Sequence, residues 1–279
     1  MPTTTPSDPI LLTLSGPIAI ITLNLPHKLN ALSSEAYQHL GHLLRKVADM
    51  TDITITLLTG TGRFFSAGAD VGSIDSANVP TGNSPRTFWL QRFAVCNIDV
   101  TKSFLTHPKL LIAALNGPAI GLSAALVAHC DFIYATSSTY LLTPFTSLGL
   151  VAEGGASYTF VRRLGLAKAN EALILSKPLP AADLLACGFL NKIYPDPADP
   201  RDCSSFHKAV LEDVRSEFLE RGLNRESMLL VKSLIRDALE EKLESMNVKE
   251  AFMGLERFLS GAPKEEFGKM ARGEKKHKL

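Results

Sequence analysis

The 279-residue sequence lacks several features that mark specialised classes of protein. It has 29 Lys and Arg residues against 28 Asp and Glu residues, which gives a formal net charge of +1. This balance leaves no basic excess of the kind that nucleic-acid binding requires. No apolar run approaches the roughly 20 residues of a membrane-spanning helix, and the first residues lack the basic segment of a secretory signal. We therefore expect no nucleic-acid partner, no membrane span and no secretion.

Cysteine is also scarce, and its spacing argues against a metal site. Four cysteines lie far apart along the chain, at Cys96, Cys130, Cys187 and Cys203. The sequence contains no C-x-x-C pair and no H-E-x-x-H motif, which are the common arrangements for zinc. We expect reduced, mostly buried thiols in an intracellular compartment and no bound metal.

The sequence does contain short apolar runs that alternate with helical patterns over about its first 190 residues, which is typical of α/β proteins. These runs predict strands over residues 10–14, 18–23, 53–58, 110–115, 132–135 and 140–142. Beyond Arg201 the pattern becomes amphipathic and predicts helices over residues 206–219, 228–239 and 248–259. The segment Ser73–Pro85 is rich in Ser, Asn, Gly and Pro, so it is predicted to be a mobile loop.

Two glycine-containing turns follow predicted strands, at Phe65–Asp70 and Asn116–Leu122. Small residues there allow backbone N–H groups to face a ligand without obstruction by side chains. Two such donors that meet at one point form an oxyanion hole. Residue types alone leave open the alternative that both are simply tight strand-to-helix turns.

Four motifs together resemble the crotonase (enoyl-CoA hydratase/isomerase) superfamily. They occur in the family's order and with similar spacing, at Leu23–Leu32, Phe65–Asp70, Asn116–Gly121 and Cys130–Ala135, and the match covers about residues 10 to 195. The resemblance implies an α/β fold, a crotonase-like spiral of ββα units over residues 1–200. It further implies a helical C-terminal trimerisation region over residues 201–279, and hence a homotrimer or hexamer.

The resemblance also implies an acyl-CoA substrate and assigns residues to it. The backbone N–H groups of Ala69 and Leu122 match the donors that hold the thioester oxygen in this family. Other matching positions are expected to lie along the substrate: Lys28, Ser66, Ala67, Gly68, Asp70, Val71 and Gly121. For Lys28, a solvated surface lysine remains the alternative interpretation. Asp131 belongs to the fourth motif and is interpreted as structural.

The acidic residues distinguish between reactions of this family. Hydratases of the family use two glutamates, and their positions here hold Ala125 and Phe145. Glu153 instead resembles the single catalytic base of peroxisomal 3-enoyl-CoA to 2-enoyl-CoA isomerases of fungal type, and Asn97 matches an asparagine of their pocket. As alternatives, Glu153 is a first-turn glutamate that stabilises a helix dipole, and Asn97 is a helix-surface residue.

The resemblance therefore implies a delta3-delta2-enoyl-CoA isomerase of fatty acid β-oxidation that needs no cofactor, since coenzyme A is part of its substrate. A 2-enoyl-CoA hydratase and a non-catalytic acyl-CoA-binding protein remain as alternatives. The chain ends in His277-Lys278-Leu279, which is similar to the S-K-L peroxisomal address. We expect recognition by the peroxisomal import receptor and a location in the peroxisomal matrix; a solvated charged tail is the alternative.

Overall fold

A computed structural model describes residues 8–70, 79, 82 and 84–275, without the side chain of Ala271. Three features predicted from the sequence lie wholly or mostly outside these residues: the loop Ser73–Pro85, the substrate-binding position Val71 and the C-terminal tripeptide His277–Leu279.

The chain begins with an antiparallel hairpin. Strand β1 (Ile10–Ser15) pairs with strand β2 (Ile18–Leu23), so that Ile10 lies opposite Leu23. Gly16 in the connecting turn has a φ of +61°, a conformation that glycine adopts without steric cost. The strands predicted over residues 10–14 and 18–23 are confirmed.

The remaining strands complete one large sheet and one small sheet. They are β3 (Ile55–Gly60), β4 (Leu110–Leu115), β5 (Ala119–Ile120), β6 (Phe132–Thr136), β7 (Tyr140–Leu142), β8 (Leu179–Pro180) and β9 (Lys192–Tyr194). The large sheet has the order β1-β2-β3-β4-β6-β9 and is parallel from β2 onward, whereas the small sheet has the order β5-β7-β8. Every residue of β3 and β4 is buried, as expected for central strands of a sheet covered on both faces.

Ten helices connect and cover these strands within the described residues. They are α1 (Ser34–Ala48), α2 (Pro85–Trp89), α3 (Cys96–Leu105), α4 (Leu122–Val127), α5 (Ala156–Leu164), α6 (Leu166–Leu173), α7 (Ala181–Ala186), α8 (Ser204–Arg215), α9 (Arg225–Leu259) and α10 (Ala262–Ala271). Short 3-10 turns lie at Pro26–Lys28 and Thr146–Leu148, and π-helical turns at Leu90–Val95 and Ser216–Glu220. The Oγ of Ser33 accepts a hydrogen bond from the N–H of Ala36 and so caps the start of α1.

Two sequence predictions of element boundaries are wrong. The predicted helices at residues 228–239 and 248–259 form a single helix, α9, of 35 residues. The intervening residues 240–247 contain neither glycine nor proline, and most are good helix formers, so nothing interrupts the helix. The third strand begins at Ile55 rather than at residue 53, because the chain is still leaving the preceding turn.

The core lies on both faces of the large sheet. One face packs against α1 and α4 and the other against α8, whose Phe206, Val210 and Val214 are buried. The two glycine turns extend from the carboxyl ends of β3 and β4, which are adjacent parallel strands. Ligands of open parallel sheets commonly bind at this edge. Within the described ranges, no helix is both long and apolar enough to cross a membrane.

Candidate active site

The two glycine turns pack directly against each other. The N–H of Ile120 donates a hydrogen bond of 2.9 Å to the carbonyl of Ser66, and Ser66 pairs with Ala119 as in a parallel bridge. Gly68 has a φ of +88°, and a Cβ atom there would lie 2.8 Å from the carbonyl oxygen of Ile120. Only glycine fits this close approach, so the residue type at position 68 is required for the turns to meet.

Two backbone donors are left over where the turns meet. The neighbouring N–H groups of Asp70 and Gly121 are bonded to the carbonyls of Leu32 and Leu142, at 2.9 and 2.8 Å. Among the residues that the structure describes, the N–H groups of Ala69 and Leu122 have no acceptor in the protein. Leu122 begins helix α4, where the first N–H groups have no partner within the helix. Both residues line the same cavity, as an oxyanion hole requires.

This cavity has a volume of about 390 Å³, a size typical of small-molecule sites. Much of its wall is aliphatic or aromatic, and α2, the following turn, α9 and α10 contribute Trp89, Phe93, Phe258, Phe267 and Met270. The rings of Trp89 and Phe258 stack with their centroids 4.3 Å apart. Such an apolar wall suits the acyl part of a substrate.

Glu153 contributes its carboxyl group to this cavity, from the chain just before α5. It is 9% exposed, and its Oε2 accepts a hydrogen bond of 2.6 Å from Nδ2 of Asn97. Burial, and secondarily the charge of Glu250, raise the pKa of Glu153 to about 8, while the hydrogen bond from Asn97 opposes the shift. Asn97 itself is buried, so its interpretation as a helix-surface residue is wrong.

At the start of the helix that follows Glu153, another acid takes the role that the first-turn interpretation gives to Glu153. Helix α5 begins at Ala156. The N–H of Gly155, the residue before it, donates a hydrogen bond of 2.6 Å to Oε2 of Glu250. The N–H of Ser157 donates to Oε1 of the same carboxylate at 2.8 Å. Glu250, from α9, therefore stabilises the start of α5, and the interpretation of Glu153 as the first-turn acid of this helix is not supported.

Sequence reasoning missed Glu250 although a signal for it exists. The buried residues of α9 include Leu243, Asn247, Glu250 and Gly254, which recur at helical spacing of three or four. An acidic residue within such a stripe is unusual, because a buried carboxylate needs partners. The partners themselves are not visible in the sequence, since they lie 95 and 93 residues away.

The predicted substrate-binding residues divide into two groups. Ala67, Gly68 and Gly121 line the cavity, whereas Lys28, Ser66 and Asp70 do not. Lys28 and Asp70 form an ion pair of 3.0 Å on the surface. The hydroxyl of Ser66 is fully buried; it donates to the carbonyl of Asn30 and accepts from the N–H of Gly68, so it shapes the turn. Contact of these residues with coenzyme A stays a prediction.

The two acid positions of hydratases contain apolar side chains. Ala125 is fully buried. A Cβ atom placed at Gly154 would lie only 2.9 Å from the methyl group of Ala125, so this methyl group lies beside the turn that follows Glu153. Phe145 lines the cavity. Glu153 is the only carboxylic acid among the described residues of the cavity wall. Residues 8–70, 79, 82 and 84–275 contain no group of three metal-ligating side chains.

Asp131 is structural, as its motif suggests. It is largely buried beneath α9, and its carboxylate pairs with Lys232 at 2.8 Å and with Arg236 at 2.6 Å. It also accepts a hydrogen bond from the N–H of Leu111. Burial raises the pKa of Asp131, but the two cations and the hydrogen bonds outweigh it, so the net pKa is lowered. These contacts connect α9 to the sheet, away from the cavity.

Comparison with known proteins identifies similar chains over nearly the whole length. A profile described as enoyl-CoA hydratase/isomerase matches residues 13–249. The chain is 48% identical to a Delta(3,5)-Delta(2,4)-dienoyl-CoA isomerase of Pyricularia oryzae, over 95% of this chain and 96% of the relative. It is 36% identical to the 3,2-trans-enoyl-CoA isomerase of Saccharomyces cerevisiae, over 95% of each chain. It is 31% identical to Enoyl-CoA delta isomerase 3, peroxisomal, of Mus musculus, over 95% of this chain and 78% of the relative.

A solved structure has the same fold. The enoyl-CoA hydratase/isomerase of Pseudoalteromonas atlantica superimposes with a TM-score of 0.81 and 25% identity. The superposition covers 98% of this chain and 100% of the other chain. The α/β spiral with its helical C-terminal region is therefore the architecture of that group of structures.

Proposed function

Because this chain belongs to the enoyl-CoA hydratase/isomerase family, in which it is an enoyl-CoA isomerase, we propose that it converts a 3-enoyl-CoA into the 2-trans-enoyl-CoA. The sequence resemblance to this family is thereby confirmed. One observation carries the more specific proposal: Glu153 is the single carboxylic acid among the described residues of a cavity that two unpaired backbone N–H groups also face. A shift of one double bond needs one base and an oxyanion hole, and no more.

The proposed reaction transfers one proton within the substrate. Glu153 removes a proton from C2, and the electron pair of that C–H bond moves into a dienolate whose charge lies largely on the thioester oxygen. The N–H groups of Ala69 and Leu122 stabilise this charge, each donor contributing about 3 to 4 kcal/mol in the transition state. Glu153 then returns the proton to C4. Atoms and electrons balance without a cofactor, a metal or an added water.

The environment of Glu153 suits both halves of this transfer. A carboxyl group with a pKa near 8 is a stronger base than an ordinary glutamate once ionised, and it retains the proton between the two steps. The hydrogen bond from Asn97 fixes one carboxylate oxygen and leaves the other for the substrate. We assign Asn97 the role of orienting the base.

The replacement Glu153→Gln tests this assignment. We expect isomerisation of a medium-chain 3-enoyl-CoA, followed spectrophotometrically, to fall by about 10² to 10⁴, because glutamine preserves size but accepts no proton. Affinity for a saturated acyl-CoA, measured by calorimetry, should change little. Glu212→Gln, on the exposed side of α8, is the matched control and should retain full activity. A folded Glu153→Gln protein with more than about a tenth of wild-type turnover would contradict the mechanism.

A second candidate reaction comes from the relative in Pyricularia oryzae, which is named a dienoyl-CoA isomerase. Moving double bonds from positions 3 and 5 to positions 2 and 4 takes a proton from C2 and returns one at C6. That distance favours a second acid, and the described cavity wall offers only Glu153. We expect turnover of the 3-enoyl-CoA to exceed that of the 3,5-dienoyl-CoA in a parallel assay; the reverse order would favour the dienoyl reaction.

Hydration of a 2-enoyl-CoA is less well supported. That reaction activates a water molecule between two acids, and Ala125 and Phe145 occupy the corresponding positions here. We expect hydration to be slow beside isomerisation when both are measured on the same preparation. A non-catalytic role is tested by the same isomerase assay.

We further propose that the protein works as a homo-oligomer in the peroxisomal matrix. Exposed apolar side chains on the first half of α9 support self-association: Leu230, Val231, Leu234 and Ile235. The basic C-terminal residues ending in Leu279 support recognition by the import receptor, and one relative is named as peroxisomal.

A further inference from the structure

Glu153 precedes two glycines that hold an uncommon backbone conformation. Gly154 and Gly155 have φ values of +69° and +74°, so the chain makes two successive left-handed steps before α5 begins. We call residues 153–155 the base turn. Glu153 is the first residue of this turn, so the backbone conformation of the turn determines where its carboxyl group lies.

Two buried side chains hold the base turn from outside the cavity. Nε2 of His129 lies 2.7 Å from the carbonyl oxygen of Gly154, and since a carbonyl only accepts, the imidazole donates. Glu250 accepts the N–H of Gly155 with one oxygen and that of Ser157 with the other. Glu250 is 4% exposed, and burial raises its pKa, but each of its oxygens accepts a backbone N–H, and these hydrogen bonds oppose that shift and favour the ionised carboxylate.

Local sequence supplies no substitute for Glu250. Helix α5 has Gly155 at its N-cap, no capping side chain and no acidic residue in its first turn. The partial positive charge of this helix start is therefore balanced by a carboxylate from α9. That carboxylate contacts the base turn itself, at the N–H of Gly155, so the carboxyl groups of Glu153 and Glu250 are both buried beside this turn.

We propose that Glu250 is a positioning residue that acts through Glu153: its carboxylate holds the base turn in place and puts a fixed negative charge behind the base. This inference rests on the proposed isomerase function for its kinetic consequences. A held turn keeps the carboxyl of Glu153 at the substrate, and the nearby charge makes Glu153 a better proton acceptor once ionised. Glu250 touches no substrate and is not a catalytic residue.

Other titratable groups near the base turn do not provide this charge. Among the described residues, those that line the cavity or contact the turn, or face His129 from its other side, are Tyr37, Arg92, Cys96, His129, Tyr140, Arg163 and Arg236. Burial raises the pKa of Tyr37 and lowers that of His129 to about 4, so both are neutral near pH 7. The charge that raises the pKa of Glu153 is that of Glu250.

The replacement Glu250→Gln tests the proposal, because it removes the charge and one acceptor but preserves size. We expect the acid limb of the pH profile of kcat/KM, which reports the free enzyme, to move about one unit lower. We also expect kcat to fall at least about tenfold at its optimum, with KM nearly unchanged, because the turn is held less firmly. Glu241→Gln, on the exposed side of the same helix, is the matched control and should leave the profile unchanged.

A second variant keeps the test decisive if Glu250→Gln fails to fold. Glu250→Asp retains the charge but withdraws it by one methylene group, so the acid limb should stay near that of the wild type while kcat falls. Loss of stability in either folded variant, with kcat and the pH profile unchanged, would mean that Glu250 only caps α5 and would overturn the proposal.

A spectroscopic measurement separates this inference from the proposed reaction. The infrared carboxyl band that is lost in Glu153→Gln reports protonation of Glu153 without substrate. Its midpoint should move to lower pH in Glu250→Gln, whichever acyl-CoA the protein isomerises. An unmoved midpoint contradicts the role of Glu250, whereas a moved midpoint in a protein inactive on 3-enoyl-CoA contradicts only the proposed reaction.

Discussion

At the scale of single residues, Glu153 is buried and has no cationic partner among the described residues. The group that donates a hydrogen bond to it, the Asn97 amide, is neutral, and a second buried carboxylate, that of Glu250 on α9, contacts the turn that carries it. Such a pair does not stabilise the fold, because each buried carboxylate raises the free energy of the folded state when it ionises. The arrangement therefore supports the proposed role of Glu153 in proton transfer.

This arrangement predicts a pH-dependent difference in stability. The pKa of Glu153 is raised from 4.5 to about 8 in the folded protein, so between these values the folded state holds a proton that the unfolded state has released. The contribution of Glu153 to the free energy of unfolding therefore falls as pH rises through this range, by at most about 1.4 kcal/mol per pH unit. The variant Glu153→Gln lacks this loss and should gain stability relative to the wild type up to about pH 8.

Denaturant unfolding at a series of pH values measures this difference. Comparison with the wild type is essential, because burial lowers the pKa of His107 and His129, whose contributions rise with pH below about 6.5. Those contributions are common to both proteins and cancel in the difference. Glu212→Gln serves again as the exposed control; parallel curves for wild type and Glu153→Gln would show that the carboxyl is not perturbed.

At the scale of elements, helix α9 connects three parts of the molecule. Its first half exposes an apolar stripe, its middle supplies Glu250 to the base turn, and its last turn brings Phe258 onto Trp89 at the cavity wall. One continuous helix therefore carries both the exposed stripe and the carboxylate that contacts the base turn.

The stripe on α9 predicts self-association. Leu234 is 72% exposed, and its neighbours on the helix are apolar, which is costly in a monomer. We expect light scattering to give the mass of a trimer or hexamer of the 30.2 kDa chain. Leu234→Asp should reduce that mass, whereas Lys242→Asp, at an exposed and already charged position of α9, should not. A wild-type protein that scatters as a monomer would exclude this role for the stripe.

At the scale of the whole molecule, the proposed address and the residues that line the cavity occupy different parts of the sequence. The cavity is lined by residues between Leu29 and Met270, whereas the tripeptide His277-Lys278-Leu279 follows them in the sequence. A receptor-read peptide of this kind acts through its own side chains and terminal carboxylate, so it needs no contribution from the folded core.

This separation predicts that the address functions alone. A fluorescent protein that ends in residues 275–279 should become punctate and coincide with a peroxisomal marker. Removal of Leu279 alone should return the fluorescence to a diffuse pattern, and the same deletion in the full chain should leave isomerase activity intact. Diffuse fluorescence of the intact fusion would reject the peroxisomal proposal.

The sequence by itself determined the elements and the family. Apolar periodicity located the β1–β2 hairpin and β4, and the order of the four motifs indicated the fold, because these signals are local and depend on a few neighbouring residues. The resemblance also singled out Glu153, which the structure places among the buried residues. Local signals failed where no residue marks a boundary, as within α9.

Only the tertiary structure decided which groups meet. Asn97 and Glu153 are 56 residues apart in the chain, and Gly155 and Glu250 are 95 apart, yet each pair is joined by a hydrogen bond of 2.6 Å. Contacts of this kind depend on how α3, α5 and α9 pack around the sheet, and packing is a property of the assembled core. The sequence supplies the carboxylates, and the fold determines which of them is held, which is desolvated and which faces the cavity.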